Sequence, residues 1–274
     1  MSPTHADVVV ASFNVHAGVD GWGRPWDVVE GVRALDADVV VLQEVWSPAG
    51  GPSTAQAIGS SLGYRVFEHP LARGRRAAPH PGADHRWMRS VDWRGEGHAL
   101  YLNSERPLPG RVVRSDRFGE AEPGSWGIAV LSRLPVLSHR VIELGRLPRD
   151  RVTRAAIVLQ VDVGGRPLTV IGTHMSHLTY GSPAQFLRLQ RLLRDLPGDQ
   201  ASVLAGDMNL WGPPTSAFFG GWRRIVRGRT WPSWRPHSQI DHILVRGPVA
   251  GVGATVMPAC GSDHLAVRAG LTFT

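Results

Sequence analysis

Several apolar runs in this sequence give way to side chains that can do chemistry. Val203, Leu204 and Ala205 form a core-type run, and after Gly206 come Asp207 and Asn209, an acid and an amide one residue apart. In extended chain, side chains two apart point the same way, so this pair is expected to share a face. The pattern recurs elsewhere. Asn14 follows the run in "DVVVASFNV", Glu44 lies late in "DADVVVLQEVW" and His174 late in "PLTVIGTHM". Asp241 lies in "SQIDHILV", and Asp263 and His264 stand before "LAVRAGLTF". Any one of these alone reads as a turn or a cap. Together they read as a site collected where the strands of an α/β protein end.

The chemistry of the set is coherent. The carboxylates of Glu44 and Asp263 and the amide oxygen of Asn14 are hard donors of the kind that suit Mg2+ or Mn2+. Zinc fits less well, because Cys260 is the only cysteine and no close His/Cys spacing is present. His174 and His264 offer imidazoles able to meet a phosphoryl group or carry a proton. A carboxylate such as Asp241 beside one of them would fix its tautomer and favour its charged form. Arg154, at the head of "RAAIVLQ", and Arg235, within "GRTWPSWRPHSQIDHI", are candidate contacts to substrate phosphate. His16 and His177 lie close in sequence to Asn14 and His174. Trp46, Trp211, Trp231 and Trp234 neighbour the same motifs, where they can stack a base, touch lipid or simply pack.

The elements that must position these residues are legible in outline. Residues 7–15 and 36–46 are continuous, Val-rich runs expected to be buried strands, with a short helix over 26–35 between them. Ser53 and Gln56 stand at capping-box spacing and start a second helix. "GIAVLSRLPV", "RAAIVLQVDV" and "PLTVIGTHM" predict three strands, the last two joined by a turn at 164–167. A further helix is expected over 183–196, with Ser182 as N-cap, Pro183 at its first position and Gln185 completing a capping box. "ASVLAGDMN", "SQIDHILV" and "HLAVRAGLTF" complete the expected strands. Residues 70–125 are rich in Arg, Gly and Pro with little periodicity, and are expected to form a long loop-rich insertion. No composition shift marks a domain boundary.

The chain has 274 residues and a net charge of +7, and all 30 of its basic residues are arginine. That total fits compositional bias, but the clustering of arginines in 71–95 and 223–246 suggests a phosphate-bearing partner. No apolar run reaches the ~20 residues needed to cross a bilayer. With one cysteine and no signal-like N-terminus, the expectation is a soluble, cytoplasmic protein.

Taken in order, "SFNVHAG", "LQEVW", "GIAVLSRLP", "GTHMSH", "GDMN", "QIDHILV" and "SDHLAV" resemble the motifs of the endonuclease/exonuclease/phosphatase superfamily, the deoxyribonuclease I-like fold. The resemblance implies a four-layer α/β sandwich, two packed mixed β-sheets flanked by helices, forming one catalytic domain over residues 1–274. It implies a Mg2+-dependent phosphoesterase acting by direct attack of water. Glu44 would be the principal metal ligand, with Asn14 and Asp263 in support. Asp207 would orient or deprotonate the water and Asn209 would donate to the phosphoryl oxygens. His264, paired with Asp241, would stabilise the transition state or protonate the leaving group. His174 matches the deoxyribonuclease- and phosphatase-like branches, whereas the abasic-site branch usually carries tyrosine there. Nucleic acid is the favoured substrate. A sphingomyelinase-like or inositol/phospholipid phosphatase-like activity on a phospholipid head group is the alternative, and a catalytically inactive phosphate-binding module is a second.

Overall fold

The computed structural model describes residues 6–21, 24–76, 122–148, 150, 152–177 and 182–274. One sheet contains β1 (Val8–Asn14), β2 (Val39–Pro48), β3 (Arg65–Arg76), β4 (Glu122–Ser132), β11 (Val249–Val256) and β12 (Val267–Phe273), in the order β11-β12-β1-β2-β4-β3. The other contains β5 (Val136–Arg146), β6 (Thr153–Val163), β7 (Arg166–His174), β8 (Ser202–Asp207), β9 (Arg223–Arg224) and β10 (Asp241–Arg246), in the order β5-β6-β7-β8-β10-β9. Each sheet has one parallel pair, β1 with β2 and β7 with β8, inside an otherwise antiparallel ladder. Both sheets are therefore mixed.

The alternation of strand side chains sorts the apolar residues into layers. Val8, Val10, Val39, Val41 and Val130 of the first sheet face Ile157, Leu159, Val170, Val203 and Ile243 of the second in a shared core. Gly172 marks how close the sheets come, since a Cβ there would lie 2.7 Å from Val130 and 2.8 Å from Val41. The outer face of the first sheet, with Phe13, Val40 and Leu42, is covered by α1 (Val28–Arg33) and α2 (Thr54–Leu62). The outer face of the second, with Ile171, Leu204 and Leu244, is covered by α3 (Pro183–Arg194) and α4 (Gly212–Phe218). This is the four-layer sandwich that the resemblance implies. Among the described residues no helix is long and apolar enough to cross a membrane.

The start of α2 forms as its spacing predicts. Ser53 Oγ accepts from Gln56 N at 3.0 Å and Gln56 Oε1 accepts from Ser53 N at 3.2 Å. The box expected at Ser182 and Gln185 does not form. Ser182 itself has helical backbone angles rather than the extended ones a cap needs. Gln185 instead takes a bond from Ser176 N and gives one to Gly145 O, both at 3.1 Å, and so ties α3 to the chain leaving β7. "GIAVLSRLPV" is also not one strand: β4 ends at Ser132 and β5 begins at Val136. Finally, the expected loop at 70–125 is strand at both ends, where β3 runs to Arg76 and β4 starts at Glu122. The remainder of that segment, with Arg86, Arg89 and Arg94, lies outside the described residues.

Candidate active site

The polar residues gather at one end of the sandwich because of strand direction. The parallel pairs bring Asn14 level with Gln43, and His174 level with Asp207. Strand β10 runs antiparallel to β8, so its first residue, Asp241, is level with the last of β8, Asp207. Strand β12 runs antiparallel to β1, which places the preceding residues 262–264 beside Asn14. There Ser262 Oγ donates to Asn14 O at 2.7 Å and accepts from His264 N at 3.2 Å.

Glu44 arrives by a different device. The register of β2 on β4 passes from Gln43–Ile128 directly to Val45–Gly127, leaving Glu44 as an extra residue with φ 55°. Such a bulge turns one side chain out of the regular alternation. Glu44 Oε1 accepts from Asn14 Nδ2 at 3.2 Å.

Asp207 sits at the centre. Its Oδ2 accepts from Asn14 Nδ2 at 3.2 Å and lies 3.6 Å from His174 Nε2 and 3.8 Å from His264 Nε2. Its Oδ1 accepts from Asn209 N at 2.8 Å. The expected side-by-side placement of Asp207 and Asn209 is thus reached by a turn rather than by strand alternation. Strand β8 ends at Asp207, and Asn209 is left-handed with φ 49°. Asn209 Nδ2 donates to Met175 O at 3.0 Å and faces His174 Nε2 at 3.3 Å. His242, also in the fully buried part of β10, points the other way and its Nε2 holds Leu210 O at 2.9 Å, bracing the same turn.

Burial and charge set the protonation pattern. Loss of water, then the neighbouring Asp241, push the Asp207 carboxyl up to about 7. Burial works against a charged His264, but Asp241, at 3.0 Å from its Nδ1, with Asp263 and Asp207, overcomes this and holds the imidazole well above its usual 6.5. His174 is held well below that value by burial, then by Arg154 and His264. The site therefore carries one charged and one neutral imidazole. Asp263 is also desolvated, yet His16 and His264 keep its carboxyl below the ordinary range. His16 Nδ1 lies 3.5 Å from Asp263 Oδ1, and Trp231 Nε1 donates to Asp263 Oδ2 at 3.3 Å.

The donor set fits a divalent cation. Asp207 and Asp241 bring carboxylate oxygens within 4.8 Å of each other and of His264, whose charged ring has no lone pair to give, so the carboxylates are the donors. Burial first, and then Asp241 beside it, raise the Asp207 carboxyl, and a bound cation would oppose both effects. Asn14 uses Oδ1 to accept from His16 N at 3.0 Å, so it turns its amide nitrogen toward the two carboxylates it joins.

The arginines behave differently from one another. Arg154 is 6% exposed and its Nε donates to Asp150 Oδ2 at 3.1 Å, while Nη1 reaches His174 O at 3.4 Å. Its guanidinium also lies over Trp126, 5.5 Å from the ring centre, and Trp126 in turn meets His174 edge-on at 5.9 Å. Ser176 Oγ donates to the same Asp150 carboxylate. Arg154 is thus enclosed in a brace behind His174. Arg235 is exposed, as are Arg227 and Arg229. His177 is exposed, just beyond Ser176. Sequence reading did not single out Trp126, Asp150, Ser176 or Ser262, and gave His242 no role of its own beside Asp241. Ser176, His242 and Ser262 lie within quoted motifs and Trp126 adjoins one, whereas nothing near Asp150 marked it.

Residues 11–264 match the model of the Endonuclease/Exonuclease/phosphatase family. The chain belongs to this family. It is accordingly a metal-dependent hydrolase of phosphoric esters. Solved structures agree on the fold. A family protein from Beutenbergia cavernae is 22% identical, with a TM-score of 0.62 over 98% of this chain and 72% of its own. A functionally unknown conserved protein from Enterococcus faecalis is 14% identical, with a TM-score of 0.66 over 97% and 100%. D. rerio TDP2, solved with a single strand DNA product, is 16% identical, with a TM-score of 0.56 over 97% and 98%. No curated protein matches the sequence.

Proposed function

We propose that this family member is a Mg2+-dependent phosphodiesterase whose substrate is nucleic acid, and that residues 1–274 act as one catalytic unit. The observation that carries the reading is the convergence on Asp207 of Asn14, His174 and His264, drawn from both sheets. A buried carboxyl titrating near 7 is suited to take a proton from water at neutral pH. His264, charged and fixed by Asp241, presents Nε2–H to the oxygens on which charge grows as phosphorus becomes five-coordinate. His174 stays neutral and, with Asn209, lines the other side of Asp207. Glu44 and Asp263, with the acids around Asp207, would hold the cation, which when bound supplies positive charge to the phosphoryl group.

Nucleic acid is supported by the net charge of +7 and by the exposed arginines of 223–235. The likeness to a protein solved with a DNA product points the same way. The test is hydrolysis of supercoiled plasmid, a single-stranded oligonucleotide, sphingomyelin vesicles and inositol polyphosphate, each with Mg2+, with EDTA and with His264→Ala. Metal- and His264-dependent cleavage of plasmid or oligonucleotide is expected. Release of phosphocholine or inorganic phosphate in their place overturns the nucleic-acid reading.

A further inference from the structure

The arginines of 223–246 divide by what holds them. Arg223 donates to Val249 O, and Arg246 donates to Leu193 O at 2.8 Å and to Leu196 O at 3.3 Å. These two tie segments of the fold together. Arg224 and Arg227 make no such bond among the described residues. Arg224 is half-buried on β9, and its Nε is shielded from water without an acceptor, which is costly to leave so. Burial, and then the neighbouring Arg227, both oppose the charged guanidinium, and no acid acts on it. Two guanidiniums are crowded together with nothing negative to answer them.

Both are mounted on parts that carry the site. The Arg224 guanidinium lies on Gly212, the first residue of α4, where a Cβ would collide with Nη1 and Cζ. Only glycine leaves room for it. Gly212 follows Asn209 by three residues, so at most about 11 Å of chain separates them. The backbone at Arg227 is clamped from both sides by one side chain. Gln239 Nε2 donates to Val226 O at 3.0 Å, and Gln239 Oε1 accepts from Gly228 N at 3.3 Å. Gln239 itself stands two residues before Asp241. The pair is thus fastened to the segments that bear Asn209 and Asp241. It is nevertheless set back from the cluster. Arg224 is level with Leu244, three residues and about 10 Å along β10 from Asp241.

A guanidinium offers phosphate oxygens parallel N–H donors as well as charge, and two together suit one phosphate group. At that distance it is not the phosphate that meets Asp207. We infer that Arg224 and Arg227 bind a second phosphate of the substrate strand, away from the bond that is cut. This deepens the nucleic-acid reading above and rests on it. A nucleic acid presents phosphates in series, whereas a phosphocholine ester presents one.

The test uses the full chain with Mg2+ on a dinucleotide, which has only the bond to be cut, and on a longer single strand. Arg224→Gln and Arg227→Gln are each expected to lower kcat/KM on the longer strand about 10-fold, through loss of a charged hydrogen bond to phosphate. The dinucleotide rate should stay as it is. On the longer strand the slope of log kcat/KM against log salt should become shallower by about 0.7 in each variant. Arg166→Gln removes the same charge at the opposite end of β7 from His174 and should change neither quantity. Arg227 is exposed, so its variant keeps the test decisive if Arg224→Gln disturbs the packing on Gly212. An unchanged rate and slope in Arg227→Gln, an equal loss on the dinucleotide, or an equal loss in Arg166→Gln overturns the inference. So does a wild-type enzyme that cuts the dinucleotide as well as the longer strand, a result the nucleic-acid reading survives. Turnover of inositol polyphosphate or sphingomyelin, with neither strand cut, overturns both.

Discussion

Replacing Asp207 with asparagine is expected to stop turnover while making the metal-free protein more stable at alkaline pH. The wild-type carboxyl is 2% exposed and shares its surroundings with fully buried Asp241. Its proton is retained up to about 7, against 3.8 for an ordinary aspartate. Between those values the folded chain holds a proton that the unfolded chain has released, so stability falls as pH rises through the window. At 1.36 kcal/mol per pH unit the charged carboxylate burdens the fold by about 4 kcal/mol above pH 7. Asparagine carries no charge and avoids this. Its amide oxygen can still accept from Asn209 N, but its nitrogen then faces Asn14 Nδ2, a lost hydrogen bond of about 1 kcal/mol. The attraction to His264 is also lost. The stability of Asp207→Asn relative to wild type should therefore improve by about 2–3 kcal/mol between pH 5 and pH 8. Urea unfolding in EDTA at the two pH values measures this, and Mg2+ should narrow the gap by stabilising the wild-type carboxylate. Activity should fall by ~10²–10⁴ with the general base removed. A stability difference that does not change with pH, or that moves against the variant at pH 8, refutes the reasoning.

Arg154→Met removes the positive partner of buried Asp150 and is expected to destabilise the protein by about 3–5 kcal/mol in chemical unfolding. Adding Asp150→Asn should recover part of that loss. Gly206→Ala places a Cβ 2.0 Å from the Thr173 carbonyl oxygen at a backbone φ of +154°, so loss of soluble, cooperatively unfolding protein is expected. Ser53→Ala removes the N-cap of α2, well away from the catalytic cluster. It should cost about 1 kcal/mol in urea titration with kcat unchanged.

What could be read from the sequence was whatever a local signal announces. Asn14, His174 and Asp207 each end an apolar strand, so their convergence followed once the strands shared a direction. Ser53 and Gln56 formed their box with their side-chain oxygens as acceptors, while the hydroxyl and amide donors of the two both go to Glu68 and so do not compete. At Ser182 the same spacing failed because Gln185 had stronger demands from Ser176 and Gly145, which are distant in sequence. Strand β5 gave no usable pattern, since residues 137–141 are all exposed and no face alternates. Strand β11 was hidden by its glycines and alanines. The Asp150–Arg154–Ser176 brace is a tertiary meeting of three short segments, and no spacing rule anticipates it. The turn at Asn209 was masked by a run that reads as continuous strand.

The bulge at Glu44 has a consequence for how readily the activity can be lost. Val40, Leu42 and Val45 lie on the outer face of the first sheet while Val39 and Val41 lie on the inner, so the extra residue accounts for the change of phase after Gln43. Removing Glu44 would join Gln43 to Val45 with every apolar side chain still on its present face and the ladder to β4 unbroken. A strained left-handed residue would go with it. On the role proposed for Glu44, a single-codon deletion would therefore separate this enzyme from an inactive chain of the same fold. Along that short path the lineage would give up the reaction without having to rebuild the sandwich.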